Sequence, residues 1–379
     1  MKSKLSDICF YAKGKVNVSG LTDADYISTE NMLPNKGGIT TASSLPSTIQ
    51  TQAYKKDDVL VSNIRPYFKK IWFADFDGGC SNDVLVFRAK EGTDARFLYY
   101  VLADDAFFDY STATSKGTKM PRGDKTAIMQ YEVPHFDLPI QKKIAGILAD
   151  IDDKIALNSN INKNLYELVN TYYASLFKDA EWEMTTVGNY AERIYSGGTP
   201  TTSNVEYWNG SFGWFSSGET RNRFVISTEK TITQNGINNS STKLASKYDI
   251  VMASAGQGFT RGQTSMLLID TYVNQSVIVI HAERNILPYL FWNLSNRYEE
   301  LRAISDSSSI RGSLTTKMLT AFKISLVSDE TILTFADFAW PIISKIEKNL
   351  LENERLTTLR NSLLPKLMSG EIDVSTLEI

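Results

Sequence analysis

Two stretches of this chain place their core-facing residues at alternating intervals of three and four. The first runs through Ile144, Ile147, Ile151, Ile155, Asn158, Asn162, Leu165, Leu168, Tyr172 and Leu176. The second runs through Ile342, Ile346, Asn349, Asn353, Leu356, Leu363 and Leu367. That spacing is the seam of a coiled coil and predicts two long helices. Pro139 lies at the start of the first, where its missing N–H costs nothing, and Ser328 or Asp329 can cap the second. Gly370 is a natural stop, and Pro365 is expected to kink the last turn. Each helix should run about 35–40 residues, on the order of 50–60 Å. Elsewhere the period changes. Val59–Ser62, Val84–Phe87, Ile250–Ala253 and Ser276–Ile280 are short apolar or β-branched runs bounded by turn residues, and they predict strands. Residues 94–110 and 285–304 read as helices.

The chain also repeats itself. At an offset of 191 residues, Ile155, Asn158, Asn162, Leu165, Leu168, Asn170 and Leu176 meet identical residues at Ile346, Asn349, Asn353, Leu356, Leu359, Asn361 and Leu367. The same offset pairs Lys56–Leu60 with Lys247–Val251. Offsets of 192 and 188 pair Phe97–Tyr100 with Tyr289–Trp292, and Tyr26–Thr29 with Trp214–Ser217. So small a drift over such a span marks a tandem duplication. The expected order is a mixed head (1–138), a central helix (139–178), a second head (179–328), and a distal helix with its tail (329–379). The fold class is α+β: two mixed α/β domains separated by a pair of long antiparallel helices, related by an internal pseudo-twofold repeat. Two asparagines interrupt each seam at equivalent positions. Either they face solvent, or Asn158 and Asn162 meet Asn349 and Asn353 near the midpoint of an antiparallel pair, where a buried amide fixes register.

Composition narrows the function. No run of about 18 apolar residues occurs, so no membrane span is expected. No apolar segment follows the lysines of the opening Met1–Asp7, and the two cysteines, Cys9 and Cys80, suit a reducing cytoplasm. Two cysteines are too few for a disulfide framework or a four-ligand zinc site. The chain carries 40 basic and 43 acidic residues. Each head is neutral, with 17 of each sign in 1–138 and 13 of each in 179–328, so any polyanion must be met by cations gathered on one face.

The second head opens with Tyr195-Ser196-Gly197-Gly198-Thr199-Pro200-Thr201-Thr202-Ser203-Asn204, then Glu206-Tyr207-Trp208-Asn209-Gly210, Trp214 and Ser216-Ser217-Gly218. This run closely resembles the start of a target recognition domain of type I restriction-modification specificity (S) subunits. Val133–Ile147 resembles the junction into that family's central helix, and Leu367–Ile372 the end of its distal helix. The first head departs from the pattern, lacking Gly-Gly-Thr-Pro and beginning Phe10-Tyr11-Ala12-Lys13-Gly14-Lys15. The resemblance implies a subunit that reads a split sequence in double-stranded DNA, one half per head, with the helices setting the gap. It implies two methyltransferase subunits and motor-nuclease restriction subunits as partners, with S-adenosylmethionine, ATP and Mg held there and no cofactor or metal in this chain. A specificity subunit of a type IIB-like or orphan methyltransferase complex would share these features. A non-DNA coiled-coil scaffold with duplicated heads is the alternative of another class.

DNA reading needs cations for phosphates and forked donors or amides for base edges. In the first head these are Arg65, Lys69 and Lys70, and the Gly-broken basic stretch Lys116, Lys119 and Arg122. In the second they are Thr199 and Thr201, presented by the Gly-Pro turn, with Arg221, Arg223, Gln257, Arg261, Ser309 and Arg311. Tyr207 and Trp208 are expected to pack within the head. No catalytic constellation emerges: the methyltransferase signature of Asn or Asp followed by Pro-Pro and an aromatic is absent, as is a P-loop. Gly256-Gln257-Gly258 has its third glycine one residue late for a dinucleotide fingerprint, and reads as a hairpin turn. His135 and His281 lack metal-ligand spacing. No enzyme activity is expected of the chain alone.

Overall fold

The computed structural model describes residues 2–177, 183–256, 259–306 and 312–377. They form two compact units, Met1–Ile155 with Arg355–Ile379, and Ala156–Glu354. The division passes through both long helices, so each unit holds one head and a stretch of each helix. The expected boundary between residues 178 and 179 lies outside the described residues.

The first head is built on strands that are apolar on both faces. One sheet has the order Cys9–Tyr11, Val84–Ala89, Val59–Ser62, Ile71–Phe73, antiparallel throughout. Val59, Val61, Leu85 and Phe87 point to a core shared with helices Ala95–Ala103 and Asp105–Ala113, through Phe97, Leu98, Phe107 and Phe108. The alternate residues Leu60, Val84 and Val86 point the other way, onto Ile27, Tyr54 and Cys80 of a second sheet. That sheet has the order Lys15–Asn17, Gln50–Tyr54, Gly78–Cys80, Tyr26–Ile27, its last pair parallel. A strand covered on both faces reads as a continuous apolar run.

The second head repeats this plan. Its first sheet runs Arg193–Ser196, Val277–His281, Ile250–Ala253, Thr264–Leu267, Phe224–Val225, and its second Lys230–Ile232, Trp208–Phe215, Thr271–Val273, Lys243–Ala245. Helices Leu287–Asn296 and Tyr298–Asp306 take the places of the first pair. The repeat extends to single hydrogen bonds. Lys56 N donates to Asp77 Oδ1 at 2.7 Å, and Lys247 N to Asp270 Oδ1 at 2.8 Å. Asp57 and Tyr248 both have left-handed backbones, at φ 70° and 78°. Asp58 and Asp249 are both buried and accept from the amide three residues earlier, at 2.7 and 2.8 Å. Asp58 takes a two-pronged bond from Arg88, both at 2.7 Å, whereas Asp249 meets His281 Nδ1 at 2.6 Å. Burial pushes the Asp249 carboxyl above its ordinary range, against the opposing pull of His281 and the Ser246 amide.

The central helix spans Leu138–Phe177 and the distal helix Asp329–Ser369. Asp137 caps the first through a 3.0 Å bond from Ile140 N, and Ser328 the second through Thr331 N at 3.2 Å. The distal helix continues through Pro365 and ends at Gly370, φ 75°. Within the second unit the two helices run antiparallel. Asn158 Nδ2 donates to Asn353 Oδ1 and Glu352 Oε2 at 2.9 and 2.8 Å, while Asn349 Nδ2 donates to Asn162 Oδ1 at 2.8 Å. Within the first unit, Arg360 Nη1 meets Asp152 Oδ1 at 2.6 Å in the same sense. Asn158 and Asn349 are buried, so the four asparagines do meet.

The seam expected beyond Asn162 needs correcting. Leu168 is half exposed, and the buried stripe is Tyr166, Val169, Tyr173 and Phe177. Here the helix packs against the second head as well as against its partner: Tyr166 stacks on Trp292 at 5.7 Å, and the Tyr173 hydroxyl accepts from Asn293 Nδ2 at 3.0 Å. Coverage from two sides turns the buried face toward the head.

The amide pairs give an asymmetric prediction. Asn162→Leu alone leaves the buried Asn349 amide without its acceptor and should cost about 1–3 kcal/mol. The double change Asn162→Leu with Asn349→Leu should recover most of that loss, while replacing all four asparagines by leucine should release register and yield oligomers. Urea unfolding and light scattering read both outcomes; a quadruple variant that stays a well-behaved monomer removes the register role.

Candidate nucleic-acid interface

In each head a later segment bonds to the residues that leave the central strand. In the first head the hairpin joins Val59–Ser62 to Ile71–Phe73. Pro66 opens a single tight turn between Arg65 and Lys69, both left-handed at φ 49° and 52°. The second basic stretch folds back on itself, with Lys116 N and Arg122 N donating to each other's carbonyls at 2.8 and 2.9 Å. It then docks on the first, because Arg65 N donates to Pro121 O at 2.8 Å and Gly123 N to Asn63 O at 3.1 Å. A Cβ on Gly123 would lie 2.9 Å from Asn63 Oδ1 and from Ile128 Cδ1, so a larger residue would have to displace those side-chain ends. Two stretches some 50 residues apart in the sequence thus form one basic surface.

Most of its cations already have partners. Lys69 and Lys36 share Asp105 at 3.0 and 2.8 Å. Burial alone would raise the Asp105 pKa, but the two lysines outweigh it and hold the carboxyl below its usual range. Lys70 Nζ donates to Thr29 O at 2.6 Å, and burial lowers its pKa. Lys116 meets Asp124 at 2.5 Å, and Arg122 forks onto Asp83 at 3.1 and 3.3 Å. The Lys116 hydrogen bond, then the amides of Ala127 and Thr126, hold Asp124 low. Lys119 is exposed and makes no ion pair among the described residues. Arg65 Nε is buried without a partner. Exposed pairs of this kind are worth only about 0–1 kcal/mol, so a phosphate can displace the carboxylate.

The second head uses the same brace: Leu314 N donates to Ser254 O at 2.9 Å, as Gly123 N does to Asn63 O. Arg261 sits inside it, one-seventh exposed, bonded to Gly312 O and the Asp306 carboxylate. Both arms of the guanidinium fasten the loop, so a DNA contact by Arg261 would have to replace those bonds. Gln257, Ser309 and Arg311 lie outside the described residues. Arg221 pairs with Glu229 and donates to Gly218 O at 2.7 Å. Arg223 lies over the Tyr166 ring at 4.0 Å. Together with Lys163 they line a cleft of about 480 Å³ between the second head and its stretch of the helix pair. Lys163 was not legible from the seam spacing, because it lies on the exposed face one residue past Asn162.

Thr199 and Thr201 stand on a turn that the rest of the motif builds. A Cβ on Gly197 would fall 1.9 Å from Val273 O, and one on Gly198 2.0 Å from Ser241 Oγ, so the chain is pressed against the sheet. Trp214 Nε1 donates to Gly198 O and Trp208 Nε1 to Thr201 O, each at 3.3 Å, with the rings edge-to-face at 5.0 Å. Trp208 packs within the head, as expected, and Trp214 packs beside it against the turn. Thr199 donates to the Gln275 side chain, and Thr201 is exposed.

Comparisons with known proteins agree with this duplicated plan. A family model described as the type I restriction modification DNA specificity domain matches residues 1–167 and again 180–360. The HindI type I restriction enzyme specificity subunit of Haemophilus influenzae is 22% identical over 458 aligned positions, covering 97% of this chain and 98% of that one. The EcoR124I/EcoR124II specificity subunit of Escherichia coli is 29% identical over 198 residues, half of this chain and 48% of its own. Among solved structures, the type I restriction-modification S subunit from M. genitalium superposes with a TM-score of 0.62 at 17% identity, over 99% of this chain and 96% of the other.

The two arginines of the second head should separate by experiment. Arg261→Ala removes the bonds of a largely buried guanidinium to Gly312 O and the Asp306 carboxylate and should lower stability by about 2 kcal/mol. Arg223→Ala removes one exposed stacking contact and should cost under about 1 kcal/mol. Thermal or urea unfolding of the free protein distinguishes them, and equal losses would contradict the assignment.

Proposed function

This chain belongs to the type I restriction-modification DNA specificity family, and from that premise we propose that it reads a split target in double-stranded DNA, one half-site per head. The observation that carries the reading is the presence of two family domains in one chain, each with a matching backbone bond where the central strand ends. A duplex exposes successive major-groove faces about one helical turn apart, which suits two heads on one chain. The paired helices serve as the element that sets the interval, and the asparagine contacts as its register.

The chain does no bond-making chemistry in this reading. Its sequence lacks the signature that a methyltransferase uses to hold the target adenine, and it lacks a P-loop. Two methyltransferase subunits would bring S-adenosylmethionine and flip the adenine out of the stack; restriction subunits would bring ATP and Mg. Both heads are neutral overall, so phosphate binding falls to local clusters, and affinity for DNA should be modest without those partners. No helix among the described residues is long and apolar enough to cross a membrane.

Deleting the gene gives the direct test. Methylomes of cells with and without it should differ by one split, adenine-methylated motif, restored by the wild-type chain. An unchanged methylome would leave the scaffold reading instead. In complexes with the methyltransferase partner, Arg223→Ala should weaken binding to that motif and make its salt dependence shallower by about one unit in log K against log salt.

A further inference from the structure

The first head carries a second basic surface, distinct from its hairpin tip. Tyr11 pairs with Phe87, and Ile194 with Ile280, in equivalent edge strands. By that register Lys13-Gly14-Lys15 leaves the sheet where Ser196-Gly197-Gly198 does in the second head. In the second head the segment is the uncharged turn pressed onto Val273 and Ser241. In the first it lines a groove of about 420 Å³ with Lys13, Lys15 and Lys125. Gly14 takes a φ of 148°, open to glycine, and its carbonyl accepts from Ala53 N at 3.1 Å.

Two features set this groove apart. The ammonium groups of Lys13, Lys15 and Lys125 are exposed and make no ion pair or hydrogen bond among the described residues, whereas Lys69, Lys70, Lys116 and Arg122 are all engaged. No carboxylate lines the groove. Three unneutralised cations in one concavity repel one another unless a polyanion joins them. Beside them the groove offers three amides: Gln50, Gln52 and Asn82. Gln50 donates to Asn17 Oδ1 at 2.9 Å, Gln52 only to Ala12 O at a long 3.4 Å, and the Asn82 side chain to nothing among the described residues. An amide side chain can pair with adenine through both N6 and N7.

We propose that this groove receives the first head's half of the duplex, with Lys13, Lys15 and Lys125 on phosphates and Gln50, Gln52 and Asn82 toward base edges. The proposal rests on the DNA-reading function above. It also explains why the two heads differ at this place: they read different half-sites, one through charge and amides, the other through the threonine turn.

The test uses the full chain in complex with its methyltransferase partner and the split motif found in the methylome. Binding is measured across a salt series for wild type, for Lys13→Ala/Lys15→Ala/Lys125→Ala, and for Lys69→Ala/Lys116→Ala. The triple variant should make the slope of log K against log salt shallower by about three, and the control pair should change it less. In cells, Gln50→Ala/Gln52→Ala/Asn82→Ala should relax one half of the methylated motif and leave the other half intact. A wild-type chain that binds no split motif overturns the DNA-reading function, and this groove with it. A wild-type reader whose triple lysine variant keeps its slope overturns the groove alone. So does a triple variant that binds DNA normally but no longer assembles with the methyltransferase, which would make the groove a protein-docking surface.

Discussion

A strand whose side chains are apolar on both faces must be covered twice, and both heads follow from that constraint. Val59–Ser62 and Ile250–Ala253, with their neighbours Val84–Ala89 and Val277–His281, cannot leave either face in water. One face takes a helical pair and the other a second sheet, which leaves only the strand ends to bear polar work. Each central strand begins at a buried aspartate that satisfies the amide of the preceding turn. Each ends where a later segment bonds back to it, Gly123 N to Asn63 O and Leu314 N to Ser254 O. The buried strands fix where the tips are, and the same framework positions the turn that follows each edge strand.

Much of this was legible. An offset of 191 residues predicted the duplication, and the structure carries it down to matched turns and matched carboxylate bonds. The helices could be read because a seam imposes its period on many residues at once. The misplaced Leu168 shows where that logic stops: the seam assumed one neighbour, and the helix has two. Partners of single cations were not legible at all. Lys69 meets Asp105 and Arg261 meets Asp306, pairs more than 30 residues apart that only the folded chain brings together. The same blindness hid Lys13 and Lys15, which entered the sequence reading only as a departure from the Gly-Gly-Thr-Pro pattern.

The two heads have kept a common framework while changing the chemistry set into it. Arg88 and His281 occupy corresponding places beside Asp58 and Asp249, and both satisfy the buried carboxylate. Arg88 does so with a permanent charge held in a fork, and His281 with an imidazole also 3.6 Å from Glu192. The framework therefore requires a donor at that point and is indifferent to which one.

The Gly197–Gly198 contact has a consequence for how this protein can change over generations. Neither position has room for even a methyl group, since the space a Cβ needs is filled by backbone at Val273 and by Ser241. Variants there are removed by misfolding before any altered preference could be selected. Thr199 and Thr201, two steps along the same turn, bear no such restriction, as one is half-buried at its rim and the other exposed. Inherited novelty in this head is thereby channelled onto the positions beyond the glycines, which hold the turn against the sheet.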